Sequence, residues 1–266
     1  MARGVKELVQ TLSAPGSHVV LRGDLALVGL PGLVFTPSAG LGLPGVALGH
    51  GWLQPATRYA GLLRHLASWG IVALAPDTQR GPLPSTLALA SDLRTALDVG
   101  TGVRLGGAGS PGGDISVDPG RLALLGHGTG GGAAVVAAAA DDRVRAVTLF
   151  APAETHPSAI DAARSVHAPG LLLVAGKDTV APPEGHAVPI AQAWAGPVAV
   201  HALPKASHLG FVDGRHWTTL LLDGRPERAT QRLTRAWTTA FLLRHLTGAR
   251  KYDALLETAV PLLTGV

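Results

Sequence analysis

Short apolar runs alternate with amphipathic or alanine-rich segments along this chain of 266 residues. Short apolar runs bounded by glycine, proline or polar residues are typical of strands, and longer segments with a 3.6-residue period are typical of helices. The strands predicted in this way are 18–22, 33–36, 46–49, 71–75, 121–125, 144–150, 171–175 and 198–203, the first two as an antiparallel pair. The predicted helices are 57–69, 85–99, 129–140, 183–194, 227–247 and 252–263, with a surface loop at 100–113. This alternation favours an α/β fold with a mostly parallel sheet flanked by helices, in one domain spanning 1–266.

The composition is sufficient for one large core and excludes several kinds of site. Hydrophobic residues make up 47% of the chain and charged residues 15%, so apolar side chains suffice for a single core. The chain has no cysteine, which excludes disulfides, thiolate catalysis and zinc sites with cysteine ligands. The formal net charge is +4, and the basic residues of 225–251 are interrupted by acidic ones. This pattern indicates a solvated helix face, and no nucleic-acid partner is predicted.

Targeting and metal signals are weak. Residues 1–15 lack the continuous apolar run of a signal peptide, and no stretch of about 18 apolar residues suggests a membrane span. We therefore expect a cytoplasmic protein without a membrane span. The histidines outside the motifs described below show no H-x-x-x-H or H-E-x-x-H spacing. We predict neither a metal site nor a cofactor, and the oligomeric state stays open.

The most informative segment is the predicted strand 121–125, which runs directly into a glycine-rich turn and then a helix. Gly126, Gly128 and Gly130 fill the frame of a nucleophile elbow, G-x-S-x-G, in which the central residue sits on a strained strand-to-helix turn. The flanking positions need glycine because side chains there would collide with neighbouring backbone. In this chain the central position, Gly128, carries no side-chain oxygen.

Two other interpretations of the turn compete with the elbow. Gly126, Gly128 and Gly131 also satisfy G-x-G-x-x-G, the fingerprint of a dinucleotide-binding turn. That motif belongs to the first βα turn of its domain, whereas several strands precede it here. Asp141 and Asp142 come too early to be its ribose-binding acid. The third interpretation is a glycine turn that serves packing alone.

The order of the remaining polar residues favours the elbow. Asp178 follows the predicted strand 171–175, and His208 follows the next strand, 198–203. The elbow fold places its nucleophile, acid and histidine in this order along the chain. We therefore predict Asp178 and His208 as a catalytic pair that faces the nucleophile position at Gly128.

With these motifs the chain resembles the polyester hydrolase and cutinase branch of the α/β hydrolases, and more loosely the dienelactone hydrolases. That branch typically reads G-H-S-M-G-G-G at the elbow, against G-H-G-T-G-G-G at 126–132 here. Segments 47–52, 59–75, 176–182 and 206–209 resemble its oxyanion loop, first helix and following strand, acid loop and histidine loop. The resemblance covers most of the chain and implies an α/β-hydrolase fold with about eight strands.

The resemblance also implies roles for single residues. Asp178 would orient His208, which would be the general base. Backbone N–H groups near Trp52 and at Thr129 would form the oxyanion hole. His127 would pack beneath the turn. Outside that set, His50 is a candidate for shaping the oxyanion loop, and Trp52 and Trp217 are candidates for lining a pocket.

Three departures from that branch limit the transfer of function. Gly128 replaces the nucleophile, which excludes an acyl-enzyme formed at that position. The aromatic clamp that the branch often carries appears as Ala-Pro-Ala-Glu at 151–154, and the secretion leader and disulfide are missing. A secreted polyester-degrading enzyme is therefore not expected.

Several functions remain open without the serine. The Asp178–His208 dyad could activate a water that hydrolyses a small apolar ester directly. The dyad could instead abstract a proton, with Glu154 supplying a rim carboxylate. A third possibility is a pseudoenzyme that binds an acyl- or ester-like ligand or a protein partner. A fourth is a serine esterase in which serine has been exchanged for glycine.

Overall fold

The computed structural model describes residues 3–102, 113–220 and 224–257. The strands are β1 (Val20–Asp24), β2 (Gly32–Pro37), β3 (Gly40–Gly49), β4 (Val72–Pro76), β5 (Ile115–His127), β6 (Val144–Phe150), β7 (Gly170–Ala175) and β8 (Val198–Leu203). The helices are α1 (Arg3–Ser13), α2 (Ala60–Ser68), α3 (Thr86–Gly102), α4 (Thr129–Ala139), α5 (Ala159–Ala163), α6 (Ala187–Ala193), α7 (Arg228–Thr247) and α8 (Asp253–Leu256). Short 3₁₀ turns at Ala56–Tyr59, His208–Phe211 and Trp217–Leu220 lie among the loops near the site.

The eight strands form one sheet in the order β1-β2-β4-β3-β5-β6-β7-β8. Strand β2 runs antiparallel to both β1 and β4, and every other neighbouring pair is parallel. The predicted antiparallel opening pair and mostly parallel sheet are therefore confirmed. This strand order, with helices on both faces, is the α/β-hydrolase fold. The parallel strands end at one edge of the sheet, where their loops meet.

The sheet is buried on both faces because the strands direct alternate side chains to opposite sides. In β5, Ala123 and Leu125 pack with α1, α2, α7 and α8, whereas Leu122 and Leu124 pack with α3 to α6. Helix α4 consists of glycine, alanine and valine after Thr129, so it can lie close to the sheet. This close approach positions the turn that precedes it.

The structure corrects several predicted boundaries. Helices α1 and α5 were not predicted; α1 buries Val5, Val9 and Leu12 at helical spacing within an otherwise polar segment, and α5 has only five residues. Strands β3 and β5 begin several residues earlier than predicted, because their amino-terminal parts pair with each other. The predicted loop 100–113 begins inside α3, and its part 103–112 lies outside the described residues. The end of the predicted helix 252–263, from 258 on, lies outside them too.

No helix over the described ranges combines the length and the apolar character that crossing a bilayer requires.

Candidate active site

Gly128 occupies the turn between β5 and α4. Its backbone angles are φ 54° and ψ −122°, a conformation that L side chains adopt only under strain. Backbone hydrogen bonds hold the turn: the Gly128 N–H donates to the Phe150 carbonyl at 3.1 Å, and its carbonyl accepts the N–H groups of Gly131 and Ala153, each at 2.9 Å. The turn is therefore tied to the carboxyl end of β6 as well as to its own helix.

The glycines on either side of Gly128 are required by contact with backbone. A Cβ on Gly126 would lie 2.2 Å from the Gly130 carbonyl oxygen, and one on Gly130 would lie 2.3 Å from the Gly49 carbonyl oxygen. Neither clash can be relieved by a side-chain rotation, since the obstructing atoms are backbone. The flanking glycines thus allow β3, β5 and α4 to approach one another.

Asp178 and His208 meet at the carboxyl edge of the sheet. The Nδ1 of His208 lies 2.8 Å from Oδ2 of Asp178, and their side chains are only 6% and 1% exposed. Because a carboxylate can only accept, the proton of this bond belongs to Nδ1. The other oxygen of Asp178 accepts the backbone N–H groups of Val180 and Ala181 at 2.9 and 2.8 Å. The acid loop therefore orients the carboxylate, which in turn orients the imidazole.

The free edge of this imidazole faces Gly128. A Cβ built on Gly128 would lie 3.0 Å from Nε2 of His208 and 3.8 Å from the Cα of Gly51. The three residues that the sequence placed in chain order are thus brought together, with Nε2 next to the turn. Asp141, one of the two acidic residues weighed for ribose binding in the dinucleotide interpretation, has a different partner. It pairs with Arg143 at 2.7 Å after the end of α4.

His127, the residue before Gly128, is fully buried beneath the site. Its Nε2 lies 2.9 Å from the His208 carbonyl oxygen, and its Nδ1 lies 2.7 Å from the Tyr59 hydroxyl. A carbonyl only accepts, so Nε2 carries the proton, and Nδ1 accepts from Tyr59. The same hydroxyl accepts the Gly51 N–H at 2.9 Å. This chain of hydrogen bonds links the loop at 50–52 to the His208 loop.

Burial keeps both linking side chains uncharged. Desolvation, reinforced by the nearby His208, lowers the pKa of His127 well below its usual value. Desolvation also raises the pKa of Tyr59. A neutral imidazole is the form that can accept at one nitrogen and donate at the other.

The loop predicted to supply an oxyanion donor lies against the turn. His50 is buried, with Nδ1 3.0 Å from the Gly51 carbonyl and Nε2 2.6 Å from the Thr78 carbonyl. Trp52 is 37% exposed, and its indole N–H donates to the Pro82 carbonyl at 3.0 Å. His50 therefore braces the loop from inside, whereas Trp52 lies at the rim.

Thr129 and Glu154 occupy different surroundings. Thr129 is the first residue of α4, where a backbone N–H has no carbonyl partner one turn earlier in the helix. Glu154 follows β6, and its Oε2 accepts the Ile160 N–H at 3.0 Å in α5. Its own N–H donates to Nδ1 of His186 at 2.9 Å. Glu154 thus has a structural contact of its own, at the start of a helix.

Sequence reasoning missed the residues that hold the His208 loop from behind. Oε1 of Glu227 accepts the Ser207 hydroxyl at 2.7 Å and the Ser207 N–H at 3.2 Å, while Oε2 accepts the Thr230 hydroxyl at 2.6 Å. The Glu227 N–H also donates to the Gly210 carbonyl at 3.3 Å. The only sequence signal was an acidic residue at the start of the predicted helix 227–247, which does not indicate a partner twenty residues away.

A second missed contact joins the rim of the site. The amide nitrogen of Gln54 donates to the Thr218 hydroxyl at 3.0 Å, next to Trp217, which is 53% exposed. Trp217 therefore belongs to the surface at this edge. No group of three or more His, Cys, Asp or Glu side chains within the described ranges is arranged to hold a metal ion.

The strand order, the glycine turn after β5 and the Asp–His pair after β7 and β8 define an α/β hydrolase. The sequence model of the PET hydrolase-like family matches residues 29–214, more than half of the chain and the part that contains the turn and the pair. The chain belongs to the PET hydrolase-like family. A search of curated proteins found no match.

Proposed function

We propose that this protein hydrolyses small apolar esters through a water molecule activated by His208, with Gly128 in the position of the missing nucleophile. The observation that carries the proposal is the direction of His208. Its Nδ1 is held by Asp178 at 2.8 Å, and its Nε2 lies 3.0 Å from the point where a Gly128 side chain would begin. A base oriented toward the turn fits a reaction in which a water replaces the serine hydroxyl.

The proposed reaction has two proton transfers. Nε2 of His208 takes a proton from the water as its oxygen attacks the ester carbonyl carbon. The backbone N–H groups of Trp52 and Thr129 stabilise the resulting oxyanion. When the C–O bond of the ester breaks, the imidazolium returns the proton to the departing alkoxide oxygen. The products are a carboxylic acid and an alcohol, and no bond to the protein forms.

The expected rate is modest. Triad enzymes that lose their nucleophile retain roughly 10³–10⁴-fold acceleration over water through oxyanion stabilisation and binding. The neutral state of His127 supports this residual activity, because a charged imidazolium there would repel the imidazolium that forms on His208.

Binding without turnover is the second candidate function. It is favoured by the absence of a side-chain oxygen at Gly128, and its ligand would be an acyl- or ester-like molecule. Proton abstraction with help from Glu154 has less support, because that carboxylate already accepts the Ile160 N–H. A serine esterase in which the nucleophilic serine has been exchanged for glycine would have the same geometry as the hydrolase and the binding protein.

The test is turnover of a short-chain nitrophenyl ester panel by the unaltered chain, His208→Gln and Gly128→Ser. We expect slow hydrolysis that exceeds the buffer rate and disappears in His208→Gln. A fluorophosphonate should label only Gly128→Ser. The exposed His18, changed to Gln, serves as the matched control and should leave the rate unchanged.

Two outcomes would contradict direct water attack. Turnover that survives in His208→Gln would assign the rate to some other group. An unaltered chain without turnover that still binds a non-hydrolysable ester analogue would favour the binding function instead.

A further inference from the structure

A surface cavity of about 680 Å³, wide open to solvent, lies behind the dyad, on the side of the His208 loop that faces α7. Three segments line it: the acid loop after β7, the histidine loop after β8 and the first turn of α7. The polar residues of its wall are Lys177, Lys205, Ser207, Arg225, Glu227 and Arg228. Neither the ester chemistry nor the oxyanion donors proposed above involve this cavity.

Hydrogen bonds fix the three segments relative to one another. The Lys177 N–H donates to the Ala206 carbonyl at 2.9 Å, which joins the acid loop to the histidine loop. The Ser207 hydroxyl donates to Glu227 at 2.7 Å, which joins the histidine loop to the start of α7. Hydrogen bonds therefore hold in place the segments that carry Lys177, Lys205 and Arg228.

The wall holds four positive charges and one negative charge. Lys177, Lys205, Arg225 and Arg228 are all exposed, and over the described ranges none of them forms an ion pair or a side-chain hydrogen bond. Glu227 does not serve them as a partner, since its oxygens accept from Ser207 and Thr230.

Some other surface cations have acidic partners: Arg80 pairs with Asp77 at 3.1 Å, and Arg244 pairs with Asp253 at 3.1 Å. Others, such as Arg22 and Arg145, have no ion pair within the described ranges either. The distinctive feature of this wall is that four such cations border one concavity. Like charges that face a common space repel one another, and an anion bound between them removes that repulsion.

We propose that this cavity binds a small molecule that carries at least two negative charges on carboxylate or phosphate oxygens. Lysine and arginine both donate charge-assisted hydrogen bonds to such oxygens, and arginine can do so with two parallel bonds. The volume of the cavity exceeds that of a single inorganic ion.

An anion bound in this cavity would affect Asp178 and His208 through the residues that precede them in the sequence. Lys177 directly precedes Asp178, and Ser207 directly precedes His208. An anion that bridges Lys177 and Lys205 would tighten the two loops that carry the acid and the base. The cavity can therefore act as a regulatory site, whatever reaction the dyad performs.

The test is calorimetric titration of the full chain with citrate and with pyrophosphate, in potassium chloride at matched ionic strength. We expect saturable binding of at least one of them, and the tighter one identifies carboxylate or phosphate as the preferred group. The double variant Lys205→Ala/Arg228→Ala should bind at least about tenfold more weakly, because two charge-assisted contacts are lost. The control, Lys6→Ala/Arg22→Ala, removes two exposed cations from α1 and β1 and should bind as the unaltered chain does.

Absence of saturable binding for both anions would overturn the proposal. An equal loss of affinity in the cavity variant and in the control would overturn it too, because it would indicate general charge attraction. Thermal unfolding in chloride alone verifies that the variants are folded. The titration needs no ester turnover, so this proposal and the proposed function can fail separately.

Discussion

The turn at Gly128 and the loops of Asp178 and His208 meet at one edge of the sheet, but different forces hold them. The turn is determined by backbone contact: a Cβ on Gly126 or Gly130 would lie within 2.3 Å of a carbonyl oxygen. The loops are held by side-chain hydrogen bonds, which His208 donates to Asp178 and Ser207 donates to Glu227. Steric requirements at the turn do not depend on the central residue, so the turn keeps its shape without a serine.

This difference explains how the turn can carry a glycine at its centre and still be held in place. Gly128 contributes only backbone hydrogen bonds to the turn, and a glycine makes these as well as a serine would. His208 depends on a chain of polar partners, and removal of any of them leaves a buried group without its hydrogen bond. Stability should therefore respond differently to changes in the two regions.

The largest effect is expected for Gly130→Ala. The new methyl group would lie 2.3 Å from the Gly49 carbonyl oxygen, so β3 and α4 would have to separate. We expect a loss of more than about 4 kcal/mol in the free energy of unfolding, measured by urea denaturation. Gly185→Ala is the control, because a Cβ there meets nothing within 4 Å. Equal stability of the two variants would contradict a steric origin of the glycine frame.

A smaller loss is expected for Glu227→Ala in the other region. The change leaves the Ser207 hydroxyl and N–H and the Thr230 hydroxyl without their acceptor. We expect a loss of about 2–3 kcal/mol and faster amide exchange at 207–210. Glu184→Ala removes an exposed carboxylate and should change neither quantity. Unchanged exchange in Glu227→Ala would show that backbone packing alone holds the histidine loop.

Strand β8, which leads into that loop, carries His201, a buried histidine whose surroundings differ from those of His208. His201 is 2% exposed, neither ring nitrogen has a hydrogen-bond partner among the described residues, and its ring centroid lies 3.8 Å from that of Trp237. Burial lowers the pKa of His201 to about 4, from 6.5. The unfolded chain therefore binds the proton more readily than the folded one, and stability falls as the pH drops from 6.5 toward 4.

The pH dependence of stability should report on His201. From pH 7 to pH 5, His201 should remove about 2 kcal/mol from the free energy of unfolding. His201→Leu should lose this part of the pH dependence, measured by thermal or urea unfolding across that range. A profile of His201→Leu that is parallel to that of the unaltered chain would refute the assignment to His201.

The smallest effect on stability is expected for Gly128→Ser. The side chain must adopt φ near 54° and ψ near −122°, which costs on the order of 1 kcal/mol, and its Cβ comes within 3.0 Å of His208. Gly248→Ser is the control, with a φ of 74° in the left-handed helical region and no atom within 4 Å. Both should lose only a small amount of stability, but only Gly128→Ser should react with a fluorophosphonate. Failure of that reaction would mean that the turn does not present a side chain to His208.

Much of the fold could be predicted from local patterns. The eight strands, the antiparallel start and the order of Gly128, Asp178 and His208 followed from periodicity and from motif spacing. Helix α5 was missed because five residues carry too little periodicity, and α1 because only Val5, Val9 and Leu12 mark its buried face.

The supporting contacts of the site could not be predicted in this way. Tyr59 and His127 are 68 residues apart, and nothing near either residue indicates the other. The same holds for Gln54 and Thr218, which are 164 residues apart. Glu154 looked like a rim carboxylate in the sequence, and only the fold shows that it accepts an N–H of α5.

The sequence by itself determined that this chain forms an α/β hydrolase fold, that its central turn needs glycine and that no side-chain oxygen stands at Gly128. These properties depend on period, on the size of single residues and on their order along the chain. The tertiary structure decided that His208 faces the turn, that His127 and Tyr59 connect the loops and that unpaired cations converge behind the dyad. Those properties depend on hydrogen bonds and charges between segments far apart in the chain, and only the folded backbone brings these segments together.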